Sequence, residues 1–299
     1  MVFHGKNSKT RYIRRIGWRK GTAAGIRQVI TFYNSLVKAL PAIFIGLCLV
    51  TAVKGASLQP AMKAKTVPAS SGERLDLLVY WTGIKVGRVS IVDHGLVTLR
   101  DKPCHKLEAY ARTIGPIEKI YKTKRRYFGY LTLNEDSWIF EEWKKKKRKW
   151  RMEEWLGFFP AEKVVRRYKK GKVRNVVKTP YEVYGPVGAI QYLRSRDLQP
   201  GDRYRVNVIE GKERYVDTAE VAEGGILDTI IGPVSTRVVT PRIFWKGKPL
   251  GKRMVKIWFT DDQRKIPVKL YGDIEFGNFT AELNGYQAPD SESGSTSPG

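Results

Sequence analysis

The sequence predicts a mainly β protein, an antiparallel β-sandwich or an open or partial β-barrel with one or two short helices. Two observations predict it. Over residues 254–283, Val255, Ile257 and Phe259 fall on one side of an extended segment, and Ile266, Val268 and Leu270 on one side of the next. Ile274 and Phe276, then Phe279, Ala281 and Leu283, continue the pattern. Alternation with period two belongs to strands that have one face on a core and the other in water. The second observation is recurrence. From about residue 73 to residue 287, strand-like runs follow one another with a turn signal every eight to twelve residues or so, as in a sandwich or barrel.

Taken in order, Leu75, Leu77, Val79 and Trp81 alternate, Thr82-Gly83 breaks the run, and 86–92 resumes it. Asp93-His94-Gly95 reads as a hairpin turn, with Gly95 supplying a positive φ and His94 in solvent. Residues 104–111 and 127–133 are further strands, and 115–120 has the makings of a helical turn. Residues 164–168 and 173–177 flank Lys169-Lys170-Gly171-Lys172, another hairpin. Residues 188–194 form the one convincing short helix, followed by a breaker-rich loop over 197–202. Residues 204–209 and 215–221 pair around Glu210-Gly211-Lys212; 230–240 and 243–245 lead into the final meander. There, Thr260-Asp261-Asp262-Gln263 is a turn, because short polar side chains bond back to the backbone.

The N-terminal part is different. Residues 1–38 hold nine Lys/Arg and no acid, and the fifteen residues 39–53 hold no charge. That run is short for a membrane span, which needs roughly 20 residues, and has the length of the apolar core of a secretory signal. Residues 1–56 are therefore expected to be a basic leader with either a signal peptide cleaved near Ala52 or an inner-membrane anchor. Val37-Lys38 would make an ordinary basic start, so residues 1–36 are expected to precede the true initiation site. Either way the rest of the chain is exported to the periplasm. Residues 57–72 read as a linker, 73–287 as one all-β domain, and 288–299 as a disordered Ser/Gly/Pro-rich tail.

The formal charge of +26 points to anionic partners. It is concentrated: residues 119–178 carry twenty Lys/Arg against seven Asp/Glu. The centre is Trp143, Lys144, Lys145, Lys146, Lys147, Arg148, Lys149, Trp150 and Arg151, the candidate anion-binding residues. One reading is a solvated hairpin with aromatics to the core and lysines deterring edge aggregation. The other is a docking surface, with lysines as point charges and tryptophans at an interface.

The residues exclude much chemistry. Cys48 and Cys104 make no disulfide framework, and Cys104 reads as a small buried side chain. No His, Cys and acid spacing resembles a metal site, and no cofactor is implied. There is no nucleophile elbow and no phosphate-cradling glycine loop. Adjacent carboxylates such as Asp261-Asp262 point to opposite faces of a strand, so they make no dyad. Tyr80, Trp81 and Trp258 read as core packing. The chain is expected to bind rather than catalyse.

Three places together resemble a bacterial exported family known as domain of unknown function 3108. They are Gly72-Glu73-Arg74-Leu75 through Tyr80-Trp81-Thr82-Gly83-Ile84-Lys85-Val86-Gly87; Ala189-Ile190-Gln191-Tyr192-Leu193-Arg194-Ser195 with Leu198-Gln199-Pro200-Gly201-Asp202; and Ile257-Trp258-Phe259-Thr260-Asp261-Asp262 with Ile266-Pro267-Val268-Lys269. The resemblance covers nearly all of residues 72–287 and implies an exported, barrel-like antiparallel domain; it implies no reaction and no ligand. The basic hairpin departs from that family. The leading expectation is a periplasmic envelope protein that shelters a lipid or other amphipathic ligand. Its basic hairpin would engage anionic lipid, lipopolysaccharide or an acidic envelope polymer. Alternatives are an adaptor for an acidic protein partner and, only if the domain is cytoplasmic, nucleic-acid binding.

Overall fold

The computed structural model describes residues 71–290 except 120, 135, 180, 246–247, 250–253 and 275–276. The expected leader, most of the linker and the end of the tail lie outside the described residues. Fifteen strands form one antiparallel sheet. The first eight are β1 (Arg74–Trp81), β2 (Ile84–Leu99), β3 (Lys102–Thr113), β4 (Lys124–Leu131), β5 (Ser137–Lys146), β6 (Lys149–Phe159), β7 (Val164–Lys169) and β8 (Lys172–Lys178). A short helix, α1 (Pro186–Arg194), follows. The rest are β9 (Arg203–Glu210), β10 (Glu213–Thr229), β11 (Gly232–Trp245), β12 (Lys248–Pro249), β13 (Val255–Thr260), β14 (Pro267–Ile274) and β15 (Gly277–Gln287). The strand order is β8-β7-β6-β5-β4-β3-β2-β1-β15-β14-β13-β11-β10-β9, with β12 paired to β11. Two meanders are thus joined where β1 meets β15. The expected helical turn is a 3-10 turn at Gly115–Lys119.

The sheet curls into a nearly closed barrel. Its free ends, β8 and β9, are bridged by the chain after β8: the Tyr184 N–H donates to the Asn207 carbonyl at 2.8 Å, and the Ile209 N–H donates to the Tyr184 carbonyl at 2.9 Å. Side chains complete the closure. Ile209 of β9 shares one core cluster with Val165, Phe158, Leu156, Phe140 and Leu107, strands from the other meander. Val255, Ile257, Phe259, Ile266, Val268, Leu270, Phe279, Ala281 and Leu283, the alternating residues of the last three strands, are all buried. Trp258 is partly buried against Leu75, Ile266, Val268 and Leu283, which agrees with a packing role.

Helix α1 stoppers one end of the barrel. Val187 belongs to the core cluster, and Gly188 sits so close to the wall that a Cβ there would meet Ser137 Oγ at 2.8 Å. Ser137 Oγ also accepts the Gly185 N–H at 3.1 Å. At the other end of the helix Arg194 makes a forked contact with Glu73, at 2.6 and 2.7 Å. It donates further to the carbonyls of Arg264 and Lys265, on the connection between β13 and β14. A cavity of about 30 Å³ remains between helix and sheet, lined by Leu75, Ile91, Leu107, Val187 and Ile190 beside Asp93 and Gln191. It has room for about one water molecule, not for a lipid.

One expectation is overturned. Asp93-His94-Gly95 is not a hairpin turn but a bulge inside β2, whose residues on both sides pair with β3: Asp93 with Leu107 and Leu96 with His105. Gly95 does take a positive φ of 67°, but such a residue serves a bulge as well as a turn. The hairpin falls at Arg100 and Asp101, both with positive φ. The local sequence satisfies either geometry, and the length of β3 available for pairing decides. His94 is accordingly not a solvated turn residue, since its Nε2 lies 3.1 Å from Glu108 Oε2. Inside the barrel, Asp93 Oδ1 accepts the Gly95 N–H at 2.8 Å and lies 2.6 Å from His105 Nε2. The two expected runs 230–240 and 243–245 are one continuous strand, β11.

Removing one partner of a buried, hydrogen-bonded ion pair leaves an uncompensated charge, at a cost of about 3–5 kcal/mol. Arg194→Ala should lower unfolding stability by that amount in denaturant titration, and Glu73→Ala should match it.

Candidate functional site

Strict alternation of antiparallel neighbours sends every second connection to the same end of the barrel. Opposite α1 lie the turns at 82–83, 147–148, 170–171 and 211–212, and the longer connection between β3 and β4. These carry the lysines. The β5–β6 tip brings Lys146, Lys147, Arg148 and Lys149; the β7–β8 tip brings Lys169, Lys170 and Lys172; the β3–β4 connection adds Lys119 and Lys122, and the β9–β10 tip adds Lys212. Acids on this end are few and engaged. Glu118 lies 3.0 Å from Lys122, and Glu153 lies 2.6 Å from Lys146. The hydrogen bond from Lys146 holds the Glu153 carboxyl below its ordinary range, against the opposing effect of burial. Among the described residues, Lys147, Arg148, Lys149, Lys170 and Lys172 have no carboxylate at ion-pair distance. Several kT of positive potential over such a tip is the field that attracts anions.

The nine candidate residues do not form one constellation. Lys145 pairs with Trp150 and Lys144 with Arg151 across the β5–β6 ladder. Trp143, Lys145 and Trp150 therefore share the outer face. Lys144 and Arg151 lie on the opposite face, the one that continues through Glu142 to the core residue Phe140. Lys146 and Lys149 close the ladder, and Lys147 and Arg148 make the turn, Lys147 with φ 55°. A bulge at Glu153 shifts the register just below.

Sequence reasoning missed the groups that hold this face together. The Arg126 guanidinium lies 4.7 Å from the centre of the Trp150 ring and 5.9 Å from that of Tyr110. Tyr110 meets Trp150 edge to face at 6.1 Å. Lys145 Nζ stands 5.8 Å from the same indole. Trp143 donates its indole N–H to Glu141 Oε2 at 2.9 Å. Deeper on the same outer face, Trp155 stacks flat on Tyr168 at 3.8 Å, with Arg100 over it at 5.0 Å. So Trp143 and Trp150 do not stand free, and Trp155 packs against the cluster of Cys104, Tyr130 and Ile139. They lie half-buried on the outside, each held by a cation, an edge contact or a carboxylate. Lysines from three other connections also reach this end, and no spacing in the sequence announces that.

On the inner face of the same end, two of the cations are paired with acids. Arg125 pairs with Glu142, and Arg167 Nε donates to Glu154 at 3.1 Å while Nη1 donates to Asn175 Oδ1 at 3.2 Å. These half-buried pairs form the mouth of the barrel above Tyr127 and Phe140, which stack at 6.0 Å. Cys104 is fully buried, as expected, and burial pushes its thiol up. No group of three or more His, Cys, Asp or Glu able to hold a metal occurs among the described residues.

A curled, helix-stoppered antiparallel sheet with one cationic end defines a barrel-like fold. The chain belongs to the family described as Protein of unknown function (DUF3108), matched over residues 76–284. No curated protein matches it. Among solved structures it is similar to a beta-barrel-like protein of domain of unknown function DUF1849 from Brucella abortus, at 12% identity over 74% of this chain and 100% of that one, with a TM-score of 0.49. A protein with YmcC-like fold from Bacteroides fragilis is similar at 9% identity over 75% of this chain and 99% of that one, with a TM-score of 0.31. No functional property is carried over from either.

Toward the stoppered end, in the outer cluster with Cys104 and Ile139, burial and the charge of Glu141 push the Tyr130 phenol up to about 12. A phenol normally titrates near 10. Its neutral form is therefore favoured on folding, and that stabilisation is complete below pH 10 and lost as pH rises toward 12. Burial pushes the Tyr184 and Tyr204 phenols up as well, so alkaline titration of the 295 nm absorbance should show a late group of tyrosines, and Tyr130→Phe should remove one tyrosine's share of its amplitude.

Proposed function

We propose that this chain is an exported cell-envelope protein that binds anionic surfaces through the lysine-bearing end of its barrel and has no catalytic role. The observation that carries the reading is convergence: tips separated by up to 93 residues, Lys119 to Lys212, deliver cations to one end, and those of Lys147, Arg148, Lys149, Lys170 and Lys172 have no carboxylate at ion-pair distance among the described residues. Export rests on residues 39–53, an uncharged run behind nine cations. An envelope offers anionic lipid headgroups, lipopolysaccharide phosphates and acidic polymers. Anionic lipid is the partner proposed. The lysines supply point charges, and Trp143 and Trp150 stand just below them at the depth of an interface belt. Export also removes nucleic acid from reach.

Lipid is not proposed to enter the barrel. The interior is filled by the cluster around Leu107, Leu156, Phe158 and Ile209, and the cavity beneath α1 is about the size of a water molecule. The reading is of docking on a surface, not of shelter within a cavity.

Each Lys or Arg near an anionic membrane is worth about 1 kcal/mol, so three together change affinity by about a hundredfold. Full-length chain should sediment with phosphatidylglycerol vesicles far more tightly than with phosphatidylcholine vesicles, and added salt should weaken the binding. Neutralising Lys147, Arg148 and Lys149 to Gln should remove that preference by the stated factor. Equal affinity for the two vesicles, or an unchanged triple variant, would refute the proposal.

A further inference from the structure

The two ends of the barrel differ in chemistry. At the end stoppered by α1 the described chain enters at Ser71 and leaves at Asp290, whose N–H donates to the Ser71 carbonyl at 2.8 Å. One hairpin outgrows the sheet there. β10 and β11 stay paired down to Thr229 and Gly232. The ladder of β10 with β9 stops at Glu220, and that of β11 with β13 stops at Thr236. Beyond those points the pair runs on as a two-stranded finger.

The finger bends at Gly224 and Gly225, where the register slips. A Cβ at Gly224 would fall 2.3 Å from Thr236 Oγ1, and Gly225 has φ 73°. The bend turns Leu227, Ile231 and Val234 onto the core cluster of Leu75, Ile266, Val268 and Leu283. It leaves Ile226 75% exposed and Ile230 59% exposed. Asp228 is the one charged residue between Gly224 and Thr236, in a chain of which 28% is charged. The tip bonds its own polar groups: Thr229 Oγ1 donates to the Gly232 carbonyl at 2.8 Å and accepts the Ile231 N–H at 3.2 Å.

We propose that this finger is a membrane-contact element, which lays Ile226 and Ile230 into the acyl boundary of a lipid bilayer. Two features favour lipid over a second protein. The uncharged run 39–53 lies only 17 residues ahead of Ser71 in the sequence, a reach of at most about 60 Å. Where that run sits in a bilayer, the end holding Ser71 is tethered to the bilayer, and the finger is on that end. The finger also lacks the charge that a protein interface rim carries. Asp228, between the two isoleucines, limits the depth to the headgroup boundary. Leu133 is exposed on the same end, but it neighbours Asp136, so the contact is assigned to the finger alone. This site is separate from the lysine end, which points the other way.

The test uses the full chain carrying Cys48→Ser, with Ile226→Cys or Ile230→Cys bearing an environment-sensitive fluorophore; Cys104 is fully buried and stays unlabelled. Vesicles of phosphatidylcholine alone keep the lysine end out of play. Labels at 226 and 230 should shift to the blue and be quenched by brominated acyl chains, while a label on Lys170→Cys should do neither. Asp228→Asn should strengthen the quenching, and in the label-226 chain Ile230→Asp should weaken binding about tenfold. Labels that stay in water on vesicle-bound chain would overturn the proposal. So would a blue shift that appears without vesicles and grows with protein concentration, because a second copy would then cover the finger.

Discussion

The antiparallel β1–β15 ladder is the interaction on which the rest of the structure depends. Every other main ladder joins strands that follow one another in the chain, apart from the short β12. β1 and β15 lie at opposite ends of the described chain and pair over eight positions, from Arg74–Gln287 to Trp81–Phe279. That pairing converts two local meanders into one sheet. It also fixes their relative direction, so that hairpin tips from both meanders fall on the same end. Without it, the lysines of Lys147 and Lys212 would have no common geometry.

Closure then needs little further backbone pairing. A single bridge joins Tyr184, in the chain beyond β8, to Val208 of β9, and the shared apolar cluster does the rest. Burial of such side chains removes far more surface from water than one bridge secures in hydrogen bonds. The helix is held differently, by the Arg194 fork onto Glu73 and onto two carbonyls. A buried ion pair is poor as a source of stability compared with apolar packing. Its geometry is demanding, however, and it ties the start of β1, the end of α1 and the β13–β14 connection to one point. We take its role to be the placement of the stopper.

The two ends contrast because their neighbours do. On the lysine end, cations that are close in space find few carboxylates, so charge accumulates. On the outer wall, other cations are absorbed by rings: Arg126 by Trp150 and Tyr110, Arg100 by Trp155. Such contacts are worth about 0.5–1 kcal/mol each where exposed, enough to order a side chain but not to bury it. At the stoppered end, turns mix signs, as at Arg264 beside Asp262, while the β10–β11 finger is apolar.

Much of this was open to reading from residues alone, for reasons particular to each element. The last three strands were legible because one-sided burial enforces alternation at Val255, Ile257, Phe259 and onward. The helix at Gly188–Arg194 stands out because it interrupts that period between breakers. Lys170-Gly171 announced its hairpin because the turn needs positive φ. Asp93-His94-Gly95 misled for the same reason, since a bulge asks for the same backbone. What the sequence by itself determined was therefore the local geometry and the sign of the charge. Which end each tip occupies, which tryptophan meets which arginine, and whether the barrel has a hollow were decided only by tertiary structure. Those are properties of contacts between residues far apart in the chain, such as Arg74 and Gln287, and no local pattern of residues encodes them.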